Sequence, residues 1–280
     1  RPERGVNMPE ANELIKVKRR MNRDKRQNII ILAALVVLML VFGILSPYFL
    51  KPANLAALLV AAVPLGLIGI GECGCLLTGA FDMSVGMVAS LAGVIWTMLI
   101  TELGVPTYAA FAIALLFGVL SGLFAGVSVA FWHMPAWMAT YALFQIWKGV
   151  IYILTNGEAI RMTTYKAFKF LGQHKIFGTP ITWAVVILIL AYLAMYLVLR
   201  FTKLGRDLFV VGGNLEAAKN VGIRIRFSQT FVFVLSGALS ALAGLLFASR
   251  SGSGQPVIGD LYAMQAIAGA VVGGTSMAGG

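Results

Sequence analysis

Eight apolar runs of 17 to 28 residues fill most of this chain: Ile29–Leu45, Leu55–Thr78, Met83–Ile100, Val105–Trp132, Met134–Leu154, Pro180–Leu199, Phe227–Ala248 and Leu261–Gly280. A helix rises ~1.5 Å per residue, so each run is long enough to cross a hydrocarbon core of about 30 Å. Lipid offers backbone groups no hydrogen bonds, which leaves the helix as the way to bury runs of this length. With 59% hydrophobic and 12% charged residues, the chain also lacks the polar residues that a soluble globule needs to cover itself. The expected fold class is all-α. It is a polytopic α-helical integral membrane protein with about 8 spans visible, roughly eight to ten in the full protein, some of them broken or re-entrant.

Orientation follows from the cations, because basic loops beside membrane spans stay in the cytoplasm. Residues 1–28 carry nine of the 22 Lys and Arg residues, and Arg200, Lys203, Arg206, Lys219, Arg224 and Arg226 crowd one later loop. Six apolar runs separate these two segments, an even number that returns the chain to its starting side. The chain therefore divides into a cytoplasmic N-terminal segment, 1–28, and one transmembrane domain, 29–280, with an external loop at 155–179 and a cytoplasmic loop at 201–226. The formal charge of +11 belongs to orientation and anionic lipid contact, and no soluble basic face suits nucleic acid. The first run is too long for a secretory core and lacks a small-residue cleavage site, so it is expected to stay as an anchor. Cys73 and Cys75, the only cysteines, point to different helix faces and read as small buried side chains. The chain opens at Arg1 and stops within the apolar VVGGTSMAGG, so at least one further span is expected beyond Gly280.

Both long loops have internal logic. The external one, TNGEAIRMTTYKAFKFLGQHKIFGT, interleaves Tyr165, Phe168, Phe170 and Phe177 with Arg161, Lys166, Lys169 and Lys175. That pattern fits an interfacial helix with snorkelling lysines, and equally a docking surface for an external protein. In the cytoplasmic loop Asn214 is placed to cap a short helix, Glu216 sits in its first turn, and Gly222 closes it in the left-handed conformation. Helices under ~12 residues are marginal in water, so this one requires a surface to lie on, either a partner or its own membrane domain. Gly118, Gly122 and Gly126, four apart, predict close approach of a neighbouring helix; Gly269 and Gly273 repeat the device. Pro64 with Gly66, Gly69, Gly71 and Gly74 predicts a bent or broken helix.

Glu72, Asp82, Lys148 and Asp260 are the ionisable residues in or beside the spans. A charge at mid-membrane costs roughly 2.5–3.5 kcal/mol, so such residues face a cavity, a partner or water. Asp82 and Asp260 are also placed to cap the helices that follow them.

Four segments carry a resemblance. LLTGAFDMSVG resembles the ILTGGIDLSVG-like signature of permease subunits of bacterial ABC importers for ribose and other simple sugars. KLGRDLFVVGGNLEAAKNVGI is similar to that family's cytoplasmic loop, AIAGAVVGGTSMAGG to its AIAAVVLGGTSLxGG segment, and WKGVIYILTNG to its RGxxxxxTNG. In the same order they span residues 76–280. The resemblance implies an inner-membrane permease that pairs with a second permease copy and with cytoplasmic ABC ATPase subunits, and that takes a monosaccharide or related simple sugar from a periplasmic solute-binding protein. ATP and Mg would sit in the ATPase, with no cofactor in this chain and no catalysis by it. The coupling role falls on Gly205, Arg206, Gly212, Gly213, Asn214, Glu216, Ala217, Ala218 and Gly222. The translocation path or helix break falls on Glu72, Asp82, Ser84, Lys148, Gly273 and Gly274, and binding-protein docking on Arg161, Lys166, Lys169 and Lys175. In this resemblance Asp82 caps the next helix, with Ser84 adding a second N-terminal hydrogen bond, and holds the break open.

The chain departs from the pattern at Glu72 and Cys73, where small or apolar residues are usual, at Ala80 in place of a glycine, and at Lys148 in place of arginine. Glu72 then either contacts an unusual substrate or pairs with Lys148 inside the bundle, the pair being favoured because a lone buried carboxylate must become neutral. The alternative is a proton- or sodium-coupled secondary transporter using Glu72 and Asp82, which predicts inverted repeats that the spans do not show. A membrane enzyme is disfavoured: His133 and His174 belong to no spaced metal set, and no serine sits in a GxSxG context. With no GK dipeptide the chain has no phosphate-binding loop of the GxxxxGK[ST] form.

Overall fold

The computed structural model describes residues 29–162, 166–176 and 178–280. The basic segment 1–28, together with Tyr165 and Phe177, lies outside the described residues. The helices among the described residues begin with α1 (Ile29–Leu45). They continue as α2 (Pro52–Leu77), α3 (Val85–Thr101), α4 (Thr107–Ala130), α5 (Ala136–Thr155), α6 (Lys166–Gln173), α7 (Trp183–Phe201), α8 (Lys203–Gly213), α9 (Leu215–Asn220), α10 (Ile225–Ser251) and α11 (Tyr262–Val272). Helices α2, α4, α7 and α10 are each long and apolar enough to cross a membrane, while α1, α3 and α11 are shorter apolar helices.

The centre of the bundle is α10, which packs along α4, α2 and α3. Small residues make this possible. A Cβ on Gly122 would meet the Phe233 carbonyl, and one on Gly126 would lie 2.8 Å from Thr230 Cα, so α4 and α10 touch backbone to backbone. Gly118 and Gly237 face each other across the same seam. The expected glycine packing is therefore found in α4. Among the described residues it is not found in α11: a Cβ on Gly269 would meet nothing within 4 Å.

Two expectations about helix continuity change. Pro64 stands inside an unbroken α2, so the chain does not break there. It breaks after Leu77, where Thr78–Ser84 leads into α3. The last apolar run forms a helix of only 11 residues. It stops at Val272, and Gly274 takes a left-handed φ of 103°. At ~1.5 Å per residue that helix covers roughly half of a bilayer core. The chain then folds back until the Gly280 N–H reaches the Leu77 carbonyl at 3.2 Å.

The 155–179 loop is seated rather than free. Its β1 (Ile160–Arg161) pairs antiparallel with β2 (Ser253–Gly254) beyond the end of α10. Phe168 on α6 is fully buried, with its ring 4.1 Å from that of Trp96. Ser249 Oγ donates to the Phe168 carbonyl at 2.6 Å and accepts from the Gly172 N–H at 2.8 Å. This anchoring predicts an outcome. Phe168→Ala removes the buried ring that fixes α6 and costs about 3–5 kcal/mol. Limited proteolysis within residues 155–179 should then be faster than in the parent protein, while α10 stays protected.

Candidate functional site

The break between α2 and α3 gathers the buried polar groups. Glu72 and Asp82 are 0% and 1% exposed. The Asp82 N–H donates to Glu72 Oε2 at 3.3 Å. Asp82 Oδ1 accepts from the Ser84 N–H at 2.9 Å and from Ser84 Oγ at 2.6 Å, and Oδ2 accepts from Ser236 Oγ on α10 at 3.0 Å. Next to it, the Met83 N–H donates to Thr140 Oγ1 on α5 at 3.0 Å. One seven-residue turn is thus tied to α2, α3, α5 and α10, which satisfies a non-helical backbone inside the bundle.

Three expectations are corrected at this turn. Asp82 does not cap α3: Ser84 is the capping position, and Asp82 braces the turn one step earlier by accepting from the residue two ahead. The Ser84 hydroxyl is spent on Asp82 rather than on the helix N-terminus. Glu72 does not pair with Lys148. Its side chain lies on the buried face of α2, whereas Lys148 lies on the outer face of α5 and bonds Asp260 Oδ1 at 2.8 Å. Asp260 is thereby turned to α5 and caps nothing, with Leu261 at the capping position of α11. Cys75 lies buried against the Val232 carbonyl and Cys73 beside Thr275 Oγ1, both as free thiols.

A cavity of about 560 Å³ opens between α2, α7 and α11, lined among others by Gly66, Cys73, Tyr192, Gln265, Gly269 and Gly273. Neither Glu72 nor Asp82 reaches it. Of the residues assigned to a path or break, Gly273 lines this cavity, Gly274 turns the chain, Lys148 is outward, and Glu72, Asp82 and Ser84 are enclosed.

The cytoplasmic loop folds as α8 and α9. Thr202 Oγ1 caps α8 by accepting from the Gly205 N–H at 3.1 Å. Asn214 Oδ1 caps α9 by accepting from the Ala217 N–H at 3.0 Å, with Glu216 in the first turn and Gly222 at φ 75° beyond the end. Within α9 only Ala218 is buried. Gly205 is enclosed against the end of α7, and Gly212 lies against the Leu77 carbonyl at the end of α2. Gly213, one residue on, has open space around it. Arg206 is exposed, as are Arg200, Lys203, Lys219, Arg224 and Arg226, so this end of the bundle is predominantly basic, with Asp207 and Glu216 among the cations. At the other end Arg161 and Lys175 are exposed, Lys169 is half-buried and Lys166 opens α6.

Residues 54–280 match the family described as the permease component of the branched-chain amino acid transport system. The chain belongs to that family. The ribose import permease protein of Bacillus subtilis strain 168 is 33% identical over 247 residues, 88% of this chain and 76% of the relative. The L-arabinose transport system permease protein of Escherichia coli K12 is 36% identical over 250 residues, 89% of this chain and 75% of the relative. The D-allose transport system permease protein of the same strain is 31% identical over 258 residues, 92% and 77%. No solved structure matches the chain. The permease is an inner-membrane protein.

Sequence reading missed the Lys148–Asp260 pair, the separation of the carboxylates from the cavity, and α8 as a helix. The spacing of Leu204, Leu208 and Val211 at i, i+4 and i+7, one face of a helix, carried the last of these.

Proposed function

We propose that this permease forms, with a second permease copy, the translocation path of an ATP-driven importer of a monosaccharide or related simple sugar. The observation that carries the coupling assignment is α9: a capped six-residue helix, exposed apart from Ala218, at the basic end of the bundle. A helix so short gains little from its own hydrogen bonds, and Leu215 and Val221 leave apolar surface uncovered beside it, 52% and 71% exposed. A cytoplasmic ABC ATPase subunit that receives α9 in a surface cleft accounts for both. The ATPase holds ATP and Mg; this chain supplies the lever.

The lever has a connection. Gly212 on α8 abuts the Leu77 carbonyl, and Leu208 packs in a cluster with Cys75 at the end of α2 and Ala80 within the α2–α3 turn. A displacement of α9 is passed through α8 to the turn that ties four helices together, a rigid-body route between two states. At the opposite end the seated loop offers Arg161, Lys169 and Lys175, with Lys166 at the start of α6, as the docking segment for a periplasmic solute-binding protein. The sugar relatives support a neutral, hydroxyl-rich cargo that the binding protein selects.

Co-purification tests the coupling assignment. The permease expressed with its ATPase should emerge as one complex. Gly213→Glu, set in open space, should abolish that complex while leaving the permease folded and monodisperse. A complex that tolerates Gly213→Glu would show that α9 is not the contact.

A further inference from the structure

Tyr141, Gln145, Lys148 and Tyr152 stand at positions i, i+4, i+7 and i+11 of α5, a single line along one helix face. Tyr141 and Tyr152 are 47% and 42% exposed, Gln145 is exposed, and Lys148 and its partner Asp260 have side chains 35% and 38% exposed. The other outward line of α5 is Ala142, Ile146, Gly149 and Ile153, wholly apolar. The helix thus shows two separate outer faces, one fit for lipid and one not. An ion pair and three hydrogen-bonding side chains turned into hydrocarbon would each lose their water, at roughly 2.5–3.5 kcal/mol per charge.

We infer that the line Tyr141–Gln145–Lys148–Tyr152, together with Asp260, is the water-facing wall of the translocation path and the surface along which a neutral polyhydroxylated solute moves. The chemistry suits that occupant. The 2.8 Å Lys148–Asp260 bond makes the wall neutral overall, so it neither holds nor repels a charged solute. Tyr, Gln, Lys and Asp still offer donors and acceptors to hydroxyl groups at successive heights. Tyr141 and Phe144 stack with parallel rings 5.8 Å apart, and Lys148 Nζ lies 5.7 Å from the Phe144 centroid, which gives the wall a flat aromatic patch for the C–H face of a sugar ring. The occupant rests on the sugar-permease reading; the water-facing wall does not.

The test uses the assembled transporter, permease copies with their ATPase, in membrane vesicles. A charged methanethiosulfonate reagent is applied to Tyr141→Cys, Gln145→Cys and Tyr152→Cys, with Ile146→Cys and Ile153→Cys for comparison and the parent protein as the blank for Cys73 and Cys75. The three wall positions should react roughly tenfold or more faster than the two apolar ones. Equal, slow labelling at all five positions would overturn the wall by showing lipid or a dry, packed interface there. In parallel, uptake of D-ribose, L-arabinose and D-allose is measured for Gln145→Leu. The maximal rate should fall roughly tenfold with ATPase assembly intact. Fast labelling with unchanged uptake would overturn the solute contact. A parent transporter that moves none of the three sugars would remove the polyhydroxyl occupant, and the labelling would still decide the wall.

Discussion

Gly122→Val separates α4 from α10 and removes most of the folded permease. The valine Cβ would clash with the Phe233 carbonyl oxygen and lie 2.9 Å from the Phe233 carbonyl carbon and from Val234 Cα, all backbone atoms of α10 that cannot swing aside. Overpacking of a close-packed interior costs about 1–3 kcal/mol where side chains can shift, and more where only backbone faces the new atoms. The centre of the fold is at stake, since α10 also carries α2 and α3. The expected result is a large drop in monodisperse protein and a lower unfolding midpoint in detergent. Gly149→Ala, which meets open space on α5, should keep the parent midpoint or exceed it. If Gly122→Val unfolds at the parent temperature, the α4–α10 seam is not close-packed.

The second large effect is at Asp82. Asp82→Ala leaves the Ser84 N–H, the Ser84 hydroxyl and the Ser236 hydroxyl without their acceptor in a site that excludes water. A buried polar group left unpaired costs about 1–3 kcal/mol, so a total near or above about 3 kcal/mol is expected. Asp82→Asn keeps one oxygen for Ser84 and presents an amide to Ser236, whose hydroxyl can turn to accept, so it should lose much less. Combining Asp82→Ala with Ser236→Ala should cost less than the sum of the two, because they share one hydrogen bond. Unfolding midpoints of the four proteins decide this. Additive losses would mean that Asp82 and Ser236 do not share that bond.

The sequence made local features legible where one segment settles them. Asn214, Glu216 and Gly222 wrote the start and end of α9 within nine residues, and the structure has that helix. The small-residue line of α4 announced a close neighbour correctly, though not that α10 would be it. What failed depended on rotation and adjacency between distant segments. Glu72 and Lys148 looked like partners because both were ionisable and intramembrane, yet the rotation of α2 about its axis points Glu72 at the turn, and Asp260, 112 positions after Lys148, takes the lysine. Gly269 and Gly273 had the same spacing as the α4 glycines but line a cavity, because spacing specifies that a helix can be approached, not that one is there. The β1–β2 pair, two residues a strand, is too short to have any periodicity. The turn at Asp82 was located by its charge, while its bracing by Ser236, 154 positions away, was beyond any local pattern.

The buried carboxylates also bear on the energy source. A secondary transporter would open its coupling carboxylates to the solute path, and here both are enclosed and bound into the turn that the α8–α9 corner adjoins. The decisive measurement is uptake of labelled ribose, L-arabinose and D-allose into proteoliposomes holding the permease, its ATPase and the binding protein, with ATP supplied to the ATPase side. The account predicts accumulation of at least one sugar that requires ATP and that Gly213→Glu abolishes. Uptake by the permease alone, driven by a proton gradient, indifferent to ATP and to Gly213→Glu, and lost on Glu72→Gln, would contradict it.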